Sequence, residues 1–149
     1  AMSYEFLTKE LGIPSEKLSV TCFAGDEDCE KDMVAYEAWK KAGIPDERIY
    51  FFGKDDNWWI AGEEGPCGPD TEMFYDTGKE KCSEECNPSC GCGKYVEIWN
   101  NVFMEFFKDK EGKYNKRIIN ITEMIEPGKH DLTEENTYHN DGIDAVENM

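Results

Sequence analysis

Residues 55–76 read DDNWWIAGEEGPCGPDTEMFYD, and their reading decides the architecture around them. Glycines at 62, 65 and 68 and prolines at 66 and 69 exclude a continuous helix and predict fixed turns that position the backbone. Cys67, between two Gly-Pro pairs, is expected as a small residue packed beneath a turn, and TEMFYD (71–76) reads as a strand leaving it. Further on, residues 93–107 read GKYVEIWNNVFMEFF. They alternate, with Tyr95, Glu97, Trp99, Asn101, Phe103, Glu105 and Phe107 on one side and Val96, Ile98, Asn100, Val102, Met104 and Phe106 on the other. Both faces are mostly apolar, which predicts a central strand.

Upstream, Tyr4, Phe6, Leu7 and Leu11 have helical spacing that stops at Gly12 and Pro14. LSVTCFA (18–24) alternates Leu18, Val20, Cys22 and Ala24 against Ser19, Thr21 and Phe23 and predicts a strand. Asp26, Glu27 and Asp28 supply negative charge suited to a helix N-terminus. Met33, Val34, Tyr36, Ala38 and Trp39 then form an apolar helix face that Gly43 ends. A turn and a short strand over Ile49, Tyr50, Phe51 and Phe52 follow. Strand, helix and strand in succession predict a small α+β or α/β unit. Beyond the long strand, 109–115 reads as a turn, 117–126 as a last strand, and 127–149 as a polar, acidic tail that is mobile or loosely docked.

With 149 residues the chain is the size of one domain with one core. Its 33 acidic against 16 basic residues, a net charge of −17, argue against binding a phosphate backbone. No apolar run approaches the roughly 20 residues that span a bilayer, and no signal pattern opens the chain, so it reads as soluble, cytoplasmic and without a membrane partner. Ala1-Met2 reads as a cloning scar before a start methionine. Histidines 130 and 139 lie in the polar tail without a Cys or Ser nucleophile nearby, and the carboxylates Asp55, Asp56, Glu63, Glu64 and Asp70 read as solvated loop residues. No catalytic residue is assigned.

Four of the seven cysteines fall within eleven residues: Cys82, Cys86, Cys90 and Cys92, spaced C-x3-C-x3-C-x-C around Pro88 and Gly91. In a reducing compartment such clustering points to metal before disulfide. Four thiolates on a tight loop suit a tetrahedral zinc, which with no open position would be structural. An iron–sulfur cluster and a loop of reduced thiols are the alternatives. Cys22 and Cys29 read as small core or surface thiols.

EFLT with LGIP, VTCFAGDED, AWKKAGIPDERI, GKDDNWW, GPCGPDTEMFYD and YVEIWNNVFMEF occur in that order over about residues 4–114, and the order resembles the aminoacylation domain of alanyl-tRNA synthetases. The resemblance implies an α+β fold, a mainly antiparallel sheet with flanking helices as in class II synthetase catalytic domains, with the cysteine-rich loop at 82–92 and a diverging tail at 115–149. It also implies an alanine pocket: Trp59 as a wall, Asn100 hydrogen-bonding near the amino group and Val102 pressing on the methyl. Physically, a methyl-sized pocket needs rigid apolar walls, and an ammonium needs an oxygen acceptor held by a strand.

The family's segments before Tyr4, which hold the ATP-binding arginine, have no counterpart here, and KRIINITEMIEPGKHDL stands where its third signature would follow. The expectation is therefore an excised or truncated piece of the catalytic domain, carrying part of the alanine pocket and a structural zinc. It would bind alanine weakly and form no adenylate alone, with ATP, magnesium and tRNA engaged only by a complete enzyme and the remainder of the synthetase as its partner. The other reading is a zinc-stabilised binding module that uses its acidic surface to meet a basic protein.

Overall fold

The structure is a computed structural model that describes residues 2–117. Seven strands are formed: β1 Leu18–Phe23, β2 Ile49–Phe52, β3 Trp58–Ile60, β4 Gly65–Asp76, β5 Tyr95–Val102, β6 Phe106–Lys108 and β7 Tyr114–Lys116. The sheet is mixed: β1 and β2 pair in parallel, and the other pairings are antiparallel. The few helices and mainly antiparallel sheet agree with the expected α+β class.

β4 organises everything. Along one edge it pairs first with β3 (Trp58 opposite Pro69) and then with β1 (Val20 opposite Met73). Its other edge takes β6 (Phe106 opposite Cys67) and then β5 (Val102 opposite Asp70). GPCGP is therefore not a turn, as expected from its glycines and prolines, but the first half of this strand. The prolines fit because the ladder asks only for their carbonyls: Pro66 O accepts from Ala61 N at 3.0 Å and Pro69 O from Phe103 N at 3.1 Å. Cys67 is fully buried within the strand rather than under a turn.

The core lies on the face of β1 and β4 that carries Leu18, Val20, Cys22 and Met73, packed against Leu7, Ala35, Trp39, Ile44 and Ile49. Helix α1 (Met2–Glu5) continues as a π-helical turn over Phe6–Glu10, closed by Leu11 N donating to Phe6 O at 3.0 Å. Helix α2 (Met33–Ala42) ends as expected at Gly43, in the left-handed region at φ 102°.

Its start differs from expectation. Asp32 caps it by accepting from Ala35 N at 2.8 Å, while Asp26 turns back to accept from the backbone of Asp28 and Cys29 and pairs with Lys54 at 2.9 Å. The buried face is Ala35 and Trp39, whereas Val34 is 83% exposed.

The strand expected across 94–107 is also corrected. β5 ends at Val102, residues 103–105 leave the ladder, and β6 resumes pairing further along β4. Among the described residues β5 pairs with β4 alone and so lies at an edge of the described sheet. The expected alternation also breaks at Ile98, where the register shifts between Met73 and Phe74: Val102, 53% exposed, lies opposite Asp70 on the outer face, whereas Val96, 46% exposed, lies opposite Tyr75 on the face of Leu18. The strand expected at 117–126 and the tail at 127–149, with its two histidines, fall outside the described residues except for Arg117. No described helix is long and apolar enough to cross a membrane.

Candidate functional site

Residues directly opposite in a ladder point to the same side of a sheet, as do alternate residues of one strand. Trp59 lies opposite Gly68, Val102 opposite Asp70 and Asn100 opposite Glu72. Gly68, Asp70 and Glu72 alternate along β4, so Trp59, Asn100 and Val102 share one face. It is the face turned away from α1 and α2.

The glycine in the middle row is required. A Cβ on Gly68 would lie 2.0 Å from Phe103 O, which accepts from Trp59 Nε1 at 3.0 Å. The indole thus reaches across β4 and ties β3 to the segment between β5 and β6.

The structure also brings in residues that sequence reasoning passed over. Asp70 is 3% exposed, not a solvated loop carboxylate; it sits mid-strand and accepts from Asn57 Nδ2 at 3.1 Å. Asn57 is fully buried and also donates to Thr21 Oγ1 at 2.7 Å. Thr21 passes the chain on, donating to Glu72 Oε2 at 3.5 Å, and Glu72 Oε1 accepts from Asn100 Nδ2 at 3.3 Å. Desolvation by burial, then the charges of Glu97, Asp70 and Asp56, push the Glu72 carboxyl up to about 7. Burial likewise raises Asp70, against the lowering effect of hydrogen bonds from Asn57 and Asn100.

The available signal was the Asp-Thr-Glu alternation inside an otherwise apolar strand, which points two carboxylates to one side. Chemically, the face offers partly desolvated negative charge beside an amide and a valine, a setting that favours a small cation with an apolar substituent. Trp59 is half-buried, and Asn100 and Val102 are exposed, so these residues line an open surface rather than a closed cavity.

The second cluster is the loop from 77 to 94. Its ends are closed by Thr77 N donating to Lys94 O at 2.8 Å and by Lys94 Nζ held 3.0 Å from both carboxylate oxygens of Asp76. Within it, Asn87 Oδ1 accepts from Ser89 N at 2.9 Å to start the short turn Pro88–Cys90, and Gly91 at φ 60° reverses the chain. The result gathers the four predicted thiols, whose Sγ atoms all lie within 4.8 Å of one another. Individual pairs are 3.7 Å (Cys82–Cys90), 3.6 Å (Cys86–Cys90), 3.7 Å (Cys86–Cys92) and 3.3 Å (Cys90–Cys92). A tetrahedron with metal–sulfur bonds of ~2.3 Å has edges of about 3.8 Å, so the donor set fits a metal ion of that size. Hydrogen bonds, first from the Cys92 backbone, lower the Cys90 thiol to about 6, while hydrogen bonds with Cys86, Cys90 and Cys92 push Cys82 up to about 12; the thiols share protons that a metal ion would displace. Ser89 Oγ donates to Asp56 Oδ1 at 2.7 Å, joining the loop to the turn before β3.

Residues 1–125 match the family model for class II tRNA synthetases (A). Among curated relatives, the chain is 56% identical over 118 residues to the alanine-tRNA ligase of Treponema denticola, covering 77% of this chain and 20% of the relative. It is 54% identical over 117 residues to that of Treponema pallidum (76% and 19%) and 47% identical over 115 residues to that of Petrotoga mobilis (74% and 12%). The chain thus spans about a fifth or less of the length of these relatives. By the extent of the family match and the identity of these relatives, it belongs to the class II tRNA synthetases (A).

Proposed function

We propose that the chain is part of the aminoacylation domain of an alanine-tRNA ligase, supplying one wall of the alanine site and a structural zinc loop. The observation that carries this reading is the common face of Trp59, Asn100 and Val102, reached by register across three strands. Trp59 walls the site, Val102 meets the substrate methyl and Asn100 accepts from the ammonium. The buried carboxylates behind Asn100 supply negative charge that suits the same group. In the complete enzyme, alanine is activated with ATP and magnesium and passed to tRNA in the cytoplasm. This chain contributes binding surface, and its open site holds alanine weakly on its own.

Zinc is the metal this reading assigns to Cys82, Cys86, Cys90 and Cys92. All four positions are filled by thiolates, so the ion braces the loop and performs no chemistry.

The test is a graft. Residues 2–117 replace the matched stretch of the Treponema denticola ligase, and alanine-dependent pyrophosphate exchange is followed. Exchange should persist, and Trp59→Ala or Val102→Ala in the graft should raise the alanine KM at least about tenfold. A folded graft without exchange, or with an alanine KM indifferent to both substitutions, would overturn the proposal.

A further inference from the structure

Glu72 is held from two sides. One carboxylate oxygen takes the Thr21 hydroxyl, itself fixed by Asn57 Nδ2, and the other takes Asn100 Nδ2. An ionised carboxylate only accepts, so the end of the Asn100 amide that faces it must be the NH2 group. The opposite end, Oδ1, accepts no hydrogen bond among the described residues, and the Asn100 side chain is exposed.

We propose that Glu72 is the positioning residue for Asn100: its carboxylate sets the orientation of the amide, so that Oδ1 is presented to a primary ammonium on the open face. The inference rests on the alanine-site reading for the identity of that ammonium, but the orienting contact stands on this chain's geometry. A protonated Glu72 can donate as well as accept, so the amide then gains its flipped orientation and presents NH2 to a cation, which repels it. The charged groups bearing on Glu72 are Glu97 on β5, Asp70 on β4 and Asp56 in the turn before β3; β1 contributes the neutral Thr21. All three charges are acidic, and they oppose ionisation of Glu72 near neutral pH. A bound ammonium reverses that balance, so substrate and ionised Glu72 favour each other.

The experiment is NMR on the full 15N-labelled chain without alanine, following the Asn100 side-chain amide between pH 5 and 9. Its resonances should titrate with a midpoint near neutrality. Glu72→Gln should abolish that titration, and Glu97→Gln should preserve the titration but move its midpoint down. The second variant keeps the test informative if the first fails to fold. An Asn100 amide that ignores pH, or that titrates unchanged in Glu72→Gln, would overturn the orienting contact whether or not alanine binds. In the grafted ligase, Glu72→Gln should then raise the alanine KM about tenfold more than it lowers kcat, and flatten its pH profile. An unchanged KM beside an intact NMR titration would overturn the presentation to ammonium alone.

Discussion

The indole of Trp59 and the carbonyl of Phe103 meet over a residue that has no side chain: Nε1 donates to the oxygen at 3.0 Å directly above Gly68. The contact ties β3 to a segment 44 residues further along the chain, with β4 between them. It explains why the first half of β4 is written with glycine where a strand ordinarily carries a β-branched residue.

Gly68→Ala should therefore be costly. The added methyl would sit 2.0 Å from Phe103 O, and because the neighbour is backbone, the 103–105 segment must move and the Trp59 bond must break. Overpacking of this kind costs about 1–3 kcal/mol. Thermal unfolding by circular dichroism should show a lower midpoint, and Trp59 fluorescence should shift to the red. An unaltered midpoint would contradict the packing described.

The four-cysteine loop should bind one zinc per chain. Native mass spectrometry on protein purified without chelator reads this directly, and Cys86→Ser, which alters the buried ligand, should abolish it. Because Ser89 anchors the loop on Asp56, metal removal should also speed amide exchange in residues 53–60. Metal-free protein with the same exchange rates there would separate the loop from the site.

The stability of the chain should fall as pH rises through neutrality. The Glu72 carboxyl is raised from 4.5 to about 7, so the folded state holds a proton that the unfolded state has released. Its contribution is fully present below pH 4.5 and is lost as pH rises through about 7. Screening at this half-buried side chain leaves an effect on the order of 1 kcal/mol. Urea unfolding at pH 5.5 and 8.5 should show a difference that shrinks in Glu72→Gln.

Asp32→Ala should shorten α2. Removing the acceptor for Ala35 N, a half-buried cap, costs about 1 kcal/mol. Asp28→Ala should leave the helix intact, since that residue pairs with Lys54 instead. Equal loss of helical signal in both would place the cap elsewhere.

Much of the fold was legible because local rules and tertiary packing agree. The alternation of Leu18, Val20 and Cys22 and the run Ile49–Phe52 became strands, and Gly43 ended its helix. GPCGP misled for a physical reason. Gly and Pro signal turns by what they lack, a Cβ and an N–H. Here β4 needs both absences within an extended strand, one to admit Phe103 O and the other because the ladder uses only the prolines' carbonyls. Likewise the Asp26–Asp28 run looked like a helix start, but Lys54, distant in sequence, drew it into a turn.

The sequence by itself determined the family, the strand content and the four thiols, since each rests on residue type and spacing along the chain. Only the tertiary structure decided that Asp70 is buried, that Glu72 stands between Thr21 and Asn100, and that Trp59 reaches Phe103. Each of these depends on the register between strands. Register is a sum of long-range packing and hydrogen bonding around β4, and no local stretch of the chain contains it.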